Sequence, residues 1–267
     1  MNIDDFRYMW RGKQKQVLTA QQADLLTAIN IRRKDKKRAL LLLHGFSSTP
    51  AVYRQFLPSL TMYDAVVCPV LPGHADSIAT FAKAKASDWL TTAEQSCQAL
   101  CEDYQAVDVM GISLGGLLAC HLSKQFTLNH LYLLAPALAL QLNISRALRL
   151  ARALKHLGFK SLRNRAGNLH SNQHDELAYR QLPLTTIIEI LTLVKNFQFV
   201  PPDCPVDLFL GEFDRVVDSP RVAQYFADLP HTQVHWLKNS AHVLPLDGDI
   251  DTIINHVRHN WQPGNKQ

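Results

Sequence analysis

Short apolar runs separated by stretches of helical periodicity predict an α/β fold, a mostly parallel central sheet with helices on both faces. Two observations carry that expectation. The run Ala39-Leu40-Leu41-Leu42-Leu43 and the apolar segment Val206 to Leu210 have the composition of strands buried on both faces. At 267 residues, 47% of them hydrophobic, the chain is also long enough to bury one substantial core.

Taken in order, Met1 to Lys15 is polar and charged, without the apolar stretch of a signal peptide, and no later run approaches a membrane span. Strands are predicted near residues 26–32, 39–43, 65–70, 107–110, 130–135, 206–210 and 233–237, with helices between them. The basic run Arg32-Arg33-Lys34-Asp35-Lys36-Lys37-Arg38 reads as a solvated hairpin turn and not as a nucleic-acid patch. Ser219-Pro220 reads as the N-cap and first-turn pair of a helix through Leu229, and Asp247 to Trp261 carries Ile250, Ile253, Ile254 and Val257 at helical spacing. The five cysteines, Cys68, Cys97, Cys101, Cys120 and Cys204, show no metal-ligand spacing and predict reduced thiols, Cys97 and Cys101 being a structural pair on one helix. These features predict a cytoplasmic protein.

Residues 139–203 interrupt the alternation and are predicted to form a helical cap, inserted into a core of residues 1–138 and 204–267. Ala147, Leu150, Ala151, Leu154 and Leu157 make one helical face, and Arg146, Arg149, Arg152 and Lys155 another. With Lys160, Arg163 and Arg165, the span 146–165 holds seven basic residues and no acidic one, which accounts for the formal net charge of +5. That face reads as solvated cap surface, with attraction to anionic lipid or an acidic substrate as the second reading. Nucleic acid is excluded because aromatic residues do not interleave with the basic ones. Further on, Tyr179 to Pro183 and then Ile187, Ile188, Ile190, Leu191 and Leu193 either pack the cap onto the core or offer surface to an acyl chain.

The chemistry gathers at the ends of the apolar runs. Gly111-Ile112-Ser113-Leu114-Gly115 follows Val107, Val109 and Met110 and opens the apolar segment 114–122, so Ser113 sits on a strand-turn-helix elbow that needs small neighbours. Glycines beside a serine also make ordinary turns, and the neighbouring motifs decide between the two. His44-Gly45-Phe46 after the second strand places the backbone N–H of Phe46 as one oxyanion donor, and the N–H of Leu114 is the other. His44 itself reads as structural. A serine needs a base to take its proton. Past the strand ending at Leu210 lie Glu212, Asp214 and Asp218, of which Asp214 is best placed at the strand end, and His242 follows the strand 233–237 in a loop. The other eleven histidines read as surface or packing residues.

The set His44-Gly45-Phe46, Leu71-Pro72-Gly73-His74, Asp88-Trp89, Gly111 to Gly116, Gly211 to Asp214 and Ser240-Ala241-His242 resembles the bacterial carboxylesterases and monoacylglycerol lipases of the α/β-hydrolase fold. The likeness spans residues 39 to 260, and the chain order Ser, Asp, His is that of the fold. The resemblance implies Ser113, Asp214 and His242 as a catalytic triad, with Phe46 and Leu114 as oxyanion donors. It also implies hydrolysis of a small-molecule acyl ester, medium-chain or monoacylglycerol, with no metal or organic cofactor. Ala75 departs from the family's frequent Gly-His-Gly. A thioesterase, an acyltransferase or a carbon-carbon bond hydrolase would use the same residues, a non-catalytic binding protein would not need them, and the oligomeric state is left open.

Overall fold

The computed structural model describes residues 1–261. The chain opens with a hairpin, β1 (Phe6–Trp10) and β2 (Lys13–Val17), and continues through β3 (Ile29–Arg32), β4 (Arg38–Leu43) and β5 (Ala65–Cys68). Helices α1 (Ile78–Phe81) and α2 (Ala86–Asp103) lead to β6 (Ala106–Ile112), α3 (Leu114–Leu122) and β7 (His130–Leu134). Next come α4 (Ile144–His156), β8 (Ser161–Arg163), β9 (Glu176–Tyr179), β10 (Gln181–Pro183) and α5 (Leu184–Asn196). The last elements are β11 (Val206–Gly211), α6 (Ser219–Phe226), β12 (Thr232–Leu237) and α7 (Ile250–Trp261). Residues 262–267 of the expected core segment lie outside the described residues.

Seven strands form the central sheet in the order β12-β11-β7-β6-β4-β5-β3, every pair parallel except β3 with β5. All seven predicted strands are present. Period-two alternation divides the core: Leu41 and Leu43 of β4 pack into the layer with Trp89, Leu117 and Leu118, whereas Leu40 and Leu42 join Tyr53, Ile253 and Val257 on the other face. Helix α3 is almost wholly buried, so an uninterrupted apolar sequence suits it.

Several expectations need correction. The basic run 32–38 is not a hairpin turn, because β5 lies between β3 and β4. Asp64 accepts the N–H groups of Lys37 and Arg38, and Asp103 pairs with Arg32 and Lys36, so acidic residues from elsewhere in the chain hold the run. Helix α6 is capped by Asp218, which accepts the N–H of Arg221 at 3.2 Å, so Ser219 is the first helical residue. The polar N-terminus, given no structure from the sequence, makes the β1–β2 hairpin, whose two-residue turn, Arg11 and Gly12, has positive φ at both positions. β9 joins that hairpin antiparallel to β1, so the region between β7 and β11 is not purely helical.

The buried stripe of α4 also differs from the predicted one. Leu148 and Ala151 are buried, with Ile144 and Ala147 packed against the core, while Leu150 and Leu157 are 61% and 71% exposed. Both stripes have helical spacing and share Ala147 and Ala151; packing against α5 selects one of them. On α5, Leu184, Ile190, Leu191 and Val194 are buried and Ile187, Ile188 and Leu193 pack against the core, so those residues tie the segment to the sheet.

Charge is buried beneath the sheet at Asp108, fully enclosed within β6. Arg38 Nε donates to its Oδ2 at 2.9 Å, Tyr63 Oη at 2.6 Å, and Asn129 Nδ2 donates to Oδ1 at 2.7 Å. Removing a partner from such a carboxylate leaves it without compensation at a cost of about 3 kcal/mol or more. Arg38→Met is therefore expected to lower the unfolding free energy by about that amount in urea titrations. The double variant Arg38→Met/Asp108→Asn should recover part of the loss.

Candidate active site

Parallel strands deliver their following loops to one edge of the sheet, and the loops after β4, β6, β11 and β12 carry the residues singled out from the sequence. Ser113 stands between β6 and α3 with φ 54° and ψ −115°, a conformation that costs a non-glycine residue on the order of 1–3 kcal/mol. Its N–H donates to the Leu134 carbonyl, and its own carbonyl accepts from Leu117 and Ala137, so both peptide groups are fixed. The elbow closes only because Gly111 and Gly115 lack side chains. A Cβ on Gly111 would lie 2.2 Å from the Gly115 oxygen, and one on Gly115 would lie 2.0 Å from the Leu43 oxygen.

That close approach sets α3 against the end of β4. A Cβ on Gly45 would sit 3.5 Å from the Ser113 Cβ, so the loop carrying Phe46 runs beside the serine. Leu114 is the first residue of α3, and its N–H has no acceptor within the helix. Two histidines brace the Phe46 loop from below. His44 Nε2 accepts the Leu71 N–H, His74 Nε2 accepts the Ser47 N–H, and the His74 ring meets Phe46 and Trp89 edge-on. Burial holds both rings neutral, lowering His44 to a pKa of about 4 and His74 well below its ordinary value. His44 is structural, as expected. Ala75 has φ 53°, so the alanine at this departure from the family pattern sits in the region glycine would favour.

Asp214 and His242 meet directly. His242 Nδ1 donates to Asp214 Oδ2 at 2.8 Å, and Asp214 Oδ1 accepts the N–H groups of Val216 and Val217 at 2.7 and 2.9 Å. Of the three candidate carboxylates, Asp214 alone reaches the histidine; Asp218 caps α6 and Glu212 is exposed. Gln141 Nε2 donates to the Asp214 carbonyl, which ties the acid loop to the start of the segment between β7 and β11.

Three residues of the site have no sequence signal of their own. Asn168 accepts the N–H groups of His242 and Val243 on its carbonyl and that of Arg215 on its side chain, bridging the acid and histidine loops. Asp247 accepts the N–H groups of Ala241, His170 and Ser171 and so fixes the histidine loop. Glu176, buried in β9, accepts the Gly167 N–H at 2.7 Å, and its burial raises its pKa. A carboxylate three residues before a tyrosine in a short strand gives no hint of this. Its place depends on the pairing of β9 with β1. Asn164 Nδ2 donates to Ser47 Oγ, so residues 164–179 pass between the Phe46 loop and the histidine loop.

The profile of the alpha/beta hydrolase family matches residues 40–252. The chain belongs to that family. As a member of the alpha/beta hydrolases it is 25% identical over 224 residues to a thermostable monoacylglycerol lipase from a Bacillus species, an alignment covering 80% of this chain and 86% of that protein. In three dimensions it is similar to a structure described for the metagenome-derived lipolytic enzymes LipS and LipT, with a TM-score of 0.79 at 22% identity over 89% of this chain and 97% of the other. A monoacylglycerol lipase of Paleococcus ferrophilus superposes with a TM-score of 0.68 at 15% identity, over 88% and 97% of the two chains. These structural likenesses share the α/β-hydrolase fold.

Electrostatics sharpen the role of the histidine. Burial works against protonation of His242, but the charge and hydrogen bond of Asp214, with the Glu176 charge added, outweigh it and raise the pKa above the ordinary value of 6.5. Removing a negative charge nearby disfavours the imidazolium, so Glu176→Gln should lower the His242 pKa and Asp214→Asn should lower it further. NMR titration of the imidazole resonances reads both shifts. An unchanged pKa in Glu176→Gln would mean that Glu176 carries no charge in the folded protein.

Proposed function

We propose that this chain is a carboxylic ester hydrolase with Ser113 as nucleophile, His242 as general base and Asp214 as the acid that orients it. Medium-chain acyl esters or monoacylglycerols are its substrates. The observation that carries this reading is the hydrogen bond from His242 Nδ1 to Asp214. With Nδ1 engaged, Nε2 is the nitrogen left to accept a proton, at the same sheet edge that presents Ser113 on its elbow. The monoacylglycerol lipase and lipolytic relatives support the substrate class.

In this mechanism Ser113 Oγ attacks the acyl carbonyl as His242 Nε2 takes its proton. Asp214 stabilises the imidazolium, and the N–H groups of Phe46 and Leu114 receive the oxyanion. The positive end of α3 adds to that stabilisation. His242 then gives the proton to the leaving alcohol, and water repeats the sequence on the acyl-enzyme. None of these steps calls for a metal or organic cofactor. Residues 139–203 serve as a cap over this edge, which the Asn164–Ser47 and Asn168–His242 contacts support.

Ser113→Ala should fold normally, lose fluorophosphonate labelling and lower ester turnover by ~10⁴–10⁶. Asp214→Asn should cost ~10⁴ in kcat. Asp218→Asn should leave kcat intact and cost only about 0.3–1 kcal/mol of stability, because asparagine still caps the helix and only the negative charge at its N-terminus is lost. A panel of p-nitrophenyl esters of increasing chain length, run beside monoacylglycerols and acyl-CoA, separates an esterase from a thioesterase. Preference for acyl-CoA would overturn the ester assignment.

The location we propose is cytoplasmic, in keeping with five cysteines that are all free thiols. No helix among the described residues is long and apolar enough to cross a membrane. Contact with an anionic lipid surface is a separate part of the proposal. Leu150, Leu157 and Phe159 stand exposed among Arg146, Arg149, Arg152 and Lys155, which combines insertable side chains with unopposed positive charge. Each basic residue near such a surface contributes about 1 kcal/mol. Reversal of those four basic residues to glutamate should abolish sedimentation with anionic vesicles at low salt and leave hydrolysis of a short soluble ester unchanged. A parent protein that fails to sediment under those conditions has no interfacial role for this face.

A further inference from the structure

Asp207, the second residue of β11, is a carboxylate in an otherwise apolar buried strand. His235 Nε2, from β12, lies 2.5 Å from its Oδ1. Oδ2 is held from the other side by Asn260 Nδ2 at 2.6 Å and His130 Nε2 at 2.8 Å. His256, on the inner side of α7, faces the pair with its ring centroid 4.0 Å from that of His235. Among the described residues His256 meets the rings of Phe209 and His235, and no hydrogen bond of its own ring nitrogens is seen there. Ligand atoms of Asp207, His235 and His256 all lie within 4.8 Å of one another.

We infer that Asp207, His235 and His256 form a binding site for a divalent transition-metal ion of the zinc class, remote from the catalytic edge. Two imidazoles and one carboxylate are the donor set of borderline ions such as Zn²⁺ and Co²⁺, while Ca²⁺ and Mg²⁺ require more oxygen ligands. Asp207 Oδ1 would bind the metal while Asn260 and His130 keep their hydrogen bonds to Oδ2, the outer support that orients a ligating carboxylate. Bonds of about 2.0–2.1 Å in a tetrahedron put ligand atoms about 3.3 Å apart. The Asp207–His235 contact must therefore open slightly and His256 must close by up to about 1.5 Å. His256 is half-buried and has no hydrogen bond to another described residue to give up, so its partly exposed ring can move to meet an ion and its remaining water ligands.

Binding replaces the hydrogen bond between His235 and Asp207 with two metal bonds, and the neutral imidazole that ligates through Nε2 carries its single ring proton on Nδ1, so the proton is relocated and not lost. The metal would join β11, β12 and α7, three elements on one side of the sheet. Asp207 lies near the N-terminal end of its strand, whereas Asp214 and His242 follow the C-terminal ends, so the ion takes no part in the chemistry at Ser113. Its effect is on stability, because an ion that binds only the folded chain raises the melting temperature.

The test uses the full chain without an affinity tag, stripped with chelator, titrated calorimetrically with ZnCl₂ and melted with and without the metal. We expect one equivalent bound with a dissociation constant in the low micromolar range or tighter. The melting temperature should rise by ~3 °C or more at a hundredfold excess over that constant. His256→Gln, which removes no hydrogen bond, should keep the metal-free melting temperature and weaken binding at least tenfold, while His156→Gln on α4 should bind as the parent does. Co²⁺ in place of Zn²⁺ should give visible ligand-field absorption that His256→Gln loses. No binding of Zn²⁺ below ~100 μM, or binding that His256→Gln leaves unchanged, would overturn the site. Since neither readout involves ester turnover, the result is independent of the assignment of Ser113.

Discussion

At the end of β6 backbone packs directly on backbone, with no room for a Cβ on either glycine of the elbow. The Gly115 Cα faces the Leu43 carbonyl, and the Gly111 Cα faces the Gly115 carbonyl. This contact fixes the angle at which α3 leaves the sheet, and with it the direction of the first helical N–H groups. It also presses the loop after β4 against Ser113. The strained φ of Ser113 persists because three backbone hydrogen bonds hold its peptide groups on both sides. Replacement of either glycine by alanine would strike carbonyl oxygens, which cannot rotate away as a side chain can.

The same constraint explains why so much of the site was legible in the sequence. A buried parallel strand must be nearly all apolar, so β4, β5, β6, β7 and β11 announced themselves, and the loop that follows each was by construction at the sheet edge. Ser113, Asp214 and His242 all stand in loops that leave that edge, and of the three candidate carboxylates Asp214 is the one hydrogen-bonded to His242. Strands exposed to solvent carry no such signal. β2 reads Lys-Gln-Lys-Gln-Val and is open to solvent along its whole length, and β9 is buried only because β1 pairs with it. Strand order was equally hidden, since nothing in the basic run 32–38 tells that β5 lies between β3 and β4.

Glu176 and Asn168 were missed for the related reason that their positions are set by distant partners, strand β1 for Glu176 and the N–H groups of Arg215 and His242 for Asn168. Asp108 and Asp207 were different. Each interrupts an apolar strand sequence, and a carboxylate there must be met by hydrogen-bond donors from elsewhere because its burial is otherwise too costly. Arg38, Tyr63 and Asn129 meet the first, and His130, His235 and Asn260 meet the second. Among the eleven histidines read as surface or packing residues, His130 and His235 have a more specific place as the hydrogen-bond partners of Asp207. An acidic residue inside an apolar run was the available signal.

These buried polar groups bear on the edge that carries Ser113, Asp214 and His242 through α7. Ile253, Ile254 and Val257 dock the helix on the sheet, and Asn260 ties its far end to Asp207. At its near end Asp247 and Asp249 hold the histidine loop, Asp247 through the Ala241 N–H and Asp249 through the Asn239 N–H and the Ser240 hydroxyl. Because Asp247 and Asp249 bind the N–H groups of Asn239 and Ala241 and the Ser240 hydroxyl, the shape of the loop 239–242 follows the position of the helix start. A displacement of α7 would shift Asp247 and Asp249 together, and the His242 N–H would move relative to its acceptor on Asn168. The geometry of the His242–Asp214 pair is therefore coupled to the docking of a helix whose other end lies across the sheet, with no contact between the two sets of polar side chains.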